Sequence, residues 1–248
     1  MLKINNNQMK VFERISLNNF EEEMVLHSKV FSPSLCECVC EEQLRITIHN
    51  IVKHSGNYGF TNRGSIRLYI ELTFLYGKGF DTDPQYSKIR KVLTSSNSQM
   101  LRAKHLYEWV AEYQKKVAGF ENINTRTALS SYLVAPIKIN PNDFNEEITQ
   151  VLRSLSPQKV EHVGRNNIES LLGSASNEGK EYGLFLSSGI DLLVVLKFLF
   201  GHACINDPFY PWILSTLKNK NITSPEARTK ALGLEALNWL NKANQFDK

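Results

Sequence analysis

The sequence predicts an all-α protein built from two tandem homologous helical bundles, about four to five helices each, packed about a pseudo-twofold axis. Two observations predict it. First, residues 58–93 displaced by 124 positions fall on residues 182–217 without a gap, and thirteen of those 36 positions are identical. The matches are Tyr58/Tyr182, Gly59/Gly183, Ile66/Ile190, Leu68/Leu192, Leu72/Leu196, Phe74/Phe198, Leu75/Leu199, Gly77/Gly201, Asp83/Asp207, Pro84/Pro208, Tyr86/Tyr210, Ile89/Ile213 and Leu93/Leu217. Chance would give roughly two at average residue usage. The displacement also pairs Phe20 with Phe144 and Ser32-Pro33 with Ser156-Pro157. After a two-residue insertion, Ser98, Arg102, Lys104 and Leu106 match Ser224, Arg228, Lys230 and Leu232. Second, the apolar residues inside each copy recur at helical spacing. The copies divide the chain into 1–124 and 125–248, and each is long enough for a small core that packs on its twin.

In the first copy, Phe20–Phe31 reads as a short amphipathic helix with Glu21, Glu22 and Glu23 in its first turn, where acids favour the dipole. A second helix covers about Glu41–Lys53 and is broken by Gly56 and Gly59. The third, Ile66–Tyr76, and its equivalent Ile190–Phe200 are apolar around most of their circumference and stop at Gly77 and Gly201. Such helices belong in the middle of a bundle. Asp83-Pro84 and Asp207-Pro208 then read as helix starts, with the carboxylate at the N-cap and proline at N1. They open fourth helices of about Pro84–Leu93 and Pro208–Leu217. Fifth helices begin at Ser98 and at Ser224-Pro225-Glu226. Gly119–Asp143 joins the halves, and Tyr132-Leu133-Val134 and Ile137-Lys138-Ile139 in it are candidate extended segments.

Composition narrows the function classes. The chain is 42% apolar and 22% charged, an ordinary globular mixture, with net charge +4 spread over both halves. No concentrated basic face or tail points to nucleic acid; the longest basic cluster is Lys88-Ile89-Arg90-Lys91. No secretory signal and no bilayer-spanning run of roughly 20 apolar residues is evident, so the expected place is the cytoplasm, with no membrane partner. Cys36, Cys38 and Cys40 form a C-x-C-x-C run, with Cys204 far away. A structural zinc site shows different spacing and downstream partners, so reduced thiols are the expectation.

Asp81-Thr82-Asp83 is the one paired-carboxylate motif. As a calcium loop it fails, because Tyr86 stands where glycine is needed and Val92 where a bidentate Glu is needed. The internal copy gives a further test: Asp83 returns as Asp207, but Asp81 becomes Ile205. Capping is therefore favoured for Asp83 and Asp207, and Asp81 is the residue with room for an extra role. The six histidines form no metalloprotease cluster, and no nucleophile elbow, phosphate loop or dinucleotide fingerprint appears. His54 and His202 lie near helix ends, where imidazoles cap carbonyls. No cofactor, metal or catalytic residue is assigned. Tyr86, Tyr210 and Trp212, with Asp81 and His202, form the candidate partner-binding set, since Trp and Tyr are over-represented in hot spots. The alternative for the tyrosines is that they staple the loop onto the last helix.

At these residues the chain resembles a family of small helical proteins encoded beside spike or PAAR-containing effectors in bacterial type VI secretion clusters. The resemblance rests on Phe80-Asp81-Thr82-Asp83-Pro84-Gln85-Tyr86, on Asp207-Pro208-Phe209-Tyr210-Pro211-Trp212 and on Ser224-Pro225-Glu226-Ala227-Arg228. The family motif is similar to F-D-T-D-P-Q-Y-P-W in a single segment; here its acidic part stands in the first copy and its Pro-Trp part in the second. Ser87, Lys88, Cys204 and Ile205 depart from it. The resemblance implies an intracellular partner of a secreted toxin: an immunity protein, or a chaperone or loading adaptor. A metal-dependent enzyme using Asp81 and Asp83 is the competing reading. Binding without turnover carries the expectation that Asp81→Ala leaves stability almost unchanged.

Overall fold

The computed structural model describes residues 5–119, 122–135, 139–185 and 189–245. Thirteen α-helices occur among them, linked by short turns. No sheet is present among the described residues; an isolated bridge joins Phe185 and Gly189. The fold is all-α.

The helix boundaries repeat at the displacement read from the sequence. In the first half the order is α1 (Asn6–Phe31), α2 (Pro33–Cys36), α3 (Glu41–Ser55), α4 (Arg63–Tyr76), α5 (Ser87–Leu93) and α6 (Gln99–Tyr113). After α7 (Ile123–Val134) the second half gives α8 (Phe144–Leu155), α9 (Pro157–Val163), α10 (Arg165–Glu181), α11 (Ile190–Phe200), α12 (Pro211–Leu217) and α13 (Pro225–Ala243). Both ends of α5 and α12 lie 124 apart, as do the starts of α3 and α10 and the ends of α4 and α11.

Matching chemistry fixes matching ends. Ser98 and Ser224 accept from Leu101 N and Ala227 N as N-caps of α6 and α13. One turn further on, Arg102 and Arg228 reach back to the carbonyls of Leu93 and Leu217, satisfying acceptors exposed at the ends of α5 and α12. Gly77 and Gly201 end α4 and α11 with φ of 84° and 98°, which only glycine adopts without strain.

Elements cross between the halves. Helix α2 packs on α13, and α9 packs on the Gln114–Ala118 turn that follows α6. A continuous core draws on both halves, and in α11 every residue but Asp191 is buried. A helix buried on all sides needs apolar residues all round, which Ile190–Phe200 supplies except for Lys197. That ammonium is satisfied by Glu178 Oε1 at 2.9 Å and by the His202 carbonyl.

Four expectations change. Helix α1 starts at Asn6, not Phe20, because residues 6–19 hold no breaker and Asn5 with Gln8 forms a capping box. Glu21, Glu22 and Glu23 are therefore beyond the first turn, and they pair with His49, Arg45 and Arg63. The fourth helices begin three residues late, at Ser87 and Pro211, because Tyr86 and Tyr210 adopt non-helical backbone (φ/ψ −119°/38° and −124°/52°). Tyr132-Leu133-Val134 is helical, not extended; it ends α7, whose Ala128, Leu129 and Tyr132 are buried. Ile137 and Lys138 lie outside the described residues. Helix α7 also runs across the 124/125 boundary expected between the halves. The C-x-C-x-C run spans the turn between two helices, with Cys36 closing α2 and Cys40 the N-cap of α3.

Candidate functional site

The two Asp-Pro turns are built alike and face each other. Asp83 Oδ1 accepts from Gln85 N at 2.8 Å, and Asp207 Oδ1 accepts from Phe209 N at 2.9 Å. Each carboxylate then uses its second oxygen on the other half: His202 N donates to Asp83 Oδ2 and Lys78 N to Asp207 Oδ2, both at 2.7 Å. The two glycines let the backbones close in. A Cβ on Gly77 would stand 2.1 Å from the Phe200 carbonyl oxygen, and one on Gly201 would stand 2.6 Å from that of Tyr76.

A groove of about 1070 Å³ opens beside this junction. Its walls come from α3, from the 78–82 loop, from the 205–209 loop and from one face of α12. Val39 and Leu214 give it half-buried apolar surface over the buried Ile51 and Ile205, while His54, Lys78 and Lys218 stand exposed along it. Asp81 forms part of the wall but is almost wholly buried. Its Oδ2 accepts from Tyr58 Oη at 2.7 Å and from His54 Nε2 at 2.8 Å. Burial pushes the Asp81 carboxyl upward, but hydrogen bonds from Tyr58, His54 and Tyr69 outweigh it and leave the group below its usual range. Asp207 differs: it is buried with only backbone donors on its oxygens, and burial pushes it up to about 6.

The copies are wired differently around this point. Where the first half has Thr73, His54 and Asp81, the second has Lys197, Glu178 and Ile205. There the ion pair lies between α10 and α11, and Gln85 Nε2 of the Asp83 turn also bonds the Lys197 carbonyl. The His54–Asp81 pair has no such counterpart on its own side.

His54 spends its hydrogen bonds on Asp81 and, at 3.5 Å, on Asn57, so no hydroxyl or thiol is paired with it as a nucleophile would be. Among the described residues no three His, Cys, Asp or Glu side chains converge as metal ligands. Cys36 and Cys204 are buried, and burial pushes both thiols up to about 12.

The sequence-derived binding set is only partly assembled. Asp81 lies in the groove wall, and His202 sits beside it at the junction, with Nε2 3.1 Å from Gly79 O and 3.3 Å from Thr82 Oγ1. Tyr86 and Tyr210 are buried and offer a partner no surface. Tyr86 packs on Tyr76 and Tyr113 (centroids 4.9 and 5.9 Å), and Tyr210 packs on Phe200 and Trp239 (4.3 and 5.5 Å). These are the same three positions in each copy, and they tie the turn to the last helix. Trp212 is half-buried against the core and is not among the residues lining the groove. Asp83, Pro84, Asp207 and Pro208 stand at the turns, where the aspartates cap. Against the expectation that Asp81→Ala is silent, the burial of Asp81 and its bonds from Tyr58 and His54 predict a loss of stability. Sequence reasoning missed His54, Ile51, Ile205, Leu214 and Lys218. The divergence His54/Glu178 and Asp81/Ile205 between copies was the signal for the first of these.

Compared with family models, with curated proteins and with solved structures, the chain matches none of them. Among the described residues no helix is long and apolar enough to cross a membrane.

Proposed function

We propose that this chain is a non-enzymatic protein-binding module in which two helical bundles meet about a pseudo-twofold axis and hold a partner segment in the groove at their seam. The axis is supported by the reciprocity of the aspartate contacts, since an isologous junction pairs residue i with j and j with i. The observation that carries binding is the charge layout of the groove. Lys78 and Lys218 are exposed along apolar walls, whereas Asp81 and Asp207 are consumed by internal hydrogen bonds, Asp81 with His54 and Tyr58. An occupant that combines apolar side chains with acidic groups complements such a surface.

The partner is read as a bacterial toxin or effector protein encoded next to this chain, and the chain as its cytoplasmic immunity protein in a type VI secretion context. The support is the resemblance carried by Phe80–Tyr86 and by Asp207–Trp212. A chaperone or loading adaptor for a secreted effector is the alternative, and the apolar groove walls favour it, because cargo segments bury apolar faces. The metal-enzyme alternative loses ground because, among the described residues, no group of three His, Cys, Asp or Glu side chains forms around Asp81 and Asp83.

The test is calorimetric titration of the protein encoded beside this chain, whole and as separate toxin and loading segments. Leu214→Glu and Lys218→Glu should each weaken binding at least about tenfold with unchanged melting. Capture of the toxin domain supports immunity, and capture of the loading segment alone supports the adaptor. No complex, or the native chain's affinity retained in both variants, overturns the groove assignment.

A further inference from the structure

Helix α1 presents an apolar stripe on the side turned away from the core. Its buried residues, Phe20, Met24, Val25 and Ser28, mark the inner face. Leu26 and Val30, each two residues past a buried one, lie nearly opposite at 100° per residue, and they are 65% and 82% exposed. The same outer face runs back through Asn19 to Ile15, Phe12 and Val11, which are 49%, 56% and 44% exposed. Residues 5–19 are all exposed, so the first half of the helix projects beyond the body. The salt bridges Glu22–Arg45 and Glu23–Arg63 flank the middle of the stripe. An isolated helical segment of this length is marginal in water without tertiary contact. The stripe therefore calls for a cover as long as α1 itself, roughly 39 Å for 26 residues.

We propose that the cover is α1 of a second copy, packed antiparallel about a twofold axis between Phe20 and Glu21. The stripe is self-complementary in that register. Val11 of one copy opposes Val30 of the other, Ile15 opposes Leu26, and Asn19 opposes Glu22. Val11–Val30 and Ile15–Leu26 meet apolar to apolar, Asn19 and Glu22 meet in the middle, and Phe12 packs along the Lys29 stem. Lys10 and Lys29 face Phe31 and Phe12, Arg14 faces His27, and no two like formal charges of Lys, Arg, Asp and Glu are directly opposed. Because the stripe points away from the core, the two bodies lie on opposite outer sides and do not compete for space. A two-helix contact of this length removes on the order of 1,000 Å² from water, the lower size class of specific interfaces. This inference is independent of the partner-binding groove, which lies at the far side of α3.

Sedimentation and light scattering on the full chain test it. The native chain should sediment as a dimer of the 28.3 kDa protomer. Ile15→Glu and Leu26→Lys should each be monomeric with unchanged helicity and melting. Mixed in equal amounts, they should regain the dimer at an affinity at least tenfold above either alone. A monomeric native chain overturns the proposal, and so does a dimer unaffected by both variants. Recovery on mixing Ile15→Glu with Ile15→Lys overturns the antiparallel register. Binding of the monomer to anionic lipid vesicles would assign the stripe to a membrane surface and overturn it too.

Discussion

Asp83 and Asp207 perform the same double task on opposite sides of one junction. Each closes its own Asp-Pro turn with Oδ1 and takes a backbone N–H of the other half's loop with Oδ2. Local capping and long-range locking thus depend on one side chain per half, and neither task can be lost alone.

Replacing either aspartate with alanine should destabilise the chain by about 2–4 kcal/mol, because two buried N–H groups lose their acceptor at once. Urea unfolding reads the loss. The double variant should cost less than the sum of the singles, since the loops separate together.

Stability should fall as pH rises from about 4 to about 6. Asp207 has a folded pKa of about 6 against 3.8 as its unperturbed value. In that window the folded state holds the proton that the unfolded state has released, so raising the pH favours unfolding. Asp81 has the opposite sign: its carboxyl is lowered in the fold, so its contribution is present above its usual pKa and is lost only under stronger acid. Unfolding of Asp207→Asn between pH 4 and 7 should lack the decline, about 3 kcal/mol.

Gly77→Ala and Gly201→Ala should each prevent folding or cost more than about 3 kcal/mol, because a positive φ and a carbonyl within 2.1 or 2.6 Å both exclude a Cβ. Gly173→Ala is the control. It lies inside α10 with nothing within 4 Å of its added Cβ, so it should gain about 0.5–1 kcal/mol from helix propensity. Thermal melts compare the three.

Lys159→Leu should be neutral or mildly stabilising, within about 1 kcal/mol at pH 7. Lys159 is buried against Tyr86 and Phe198, burial pulls its ammonium down to about 8, and Leu35 holds the equivalent buried place in the first half. In the native chain stability should rise between about pH 8 and 10.5, where the unfolded lysine still binds its proton. The variant should not show that rise.

Asp81→Ala should cost about 1–3 kcal/mol, since it leaves Tyr58 and His54 without their shared acceptor. Differential scanning calorimetry decides; an unchanged melting temperature would uphold the expectation that Asp81→Ala leaves stability almost unchanged.

Helix content was legible because local signals carry it. Apolar spacing, the Ser98 and Ser224 caps and the terminal glycines act within one turn of the residues that bear them, and the duplication placed each signal twice. Helix α1 was read too short because the exposed residues Asn6–Asn19 give no buried face to detect, while the capping box at Asn5 and Gln8 was there to be read. For the tyrosines, binding and stapling onto the last helix both stayed open because sequence gives an aromatic ring no direction. Tyr86 and Tyr210 turn inward only because α6 and α13 pass beneath the turns.

By itself, then, the sequence determined that this protein is helical and twofold repeated, since short-range hydrogen bonding and internal identity need no knowledge of distant neighbours. Which face opens as a groove was decided by tertiary structure alone. Lys78 and Asp207 stand 129 residues apart, and their contact depends on how two glycine-lined loops approach, a long-range event that no local pattern encodes. The same approach buried Asp81 and left His54, Lys78 and Lys218 facing outward.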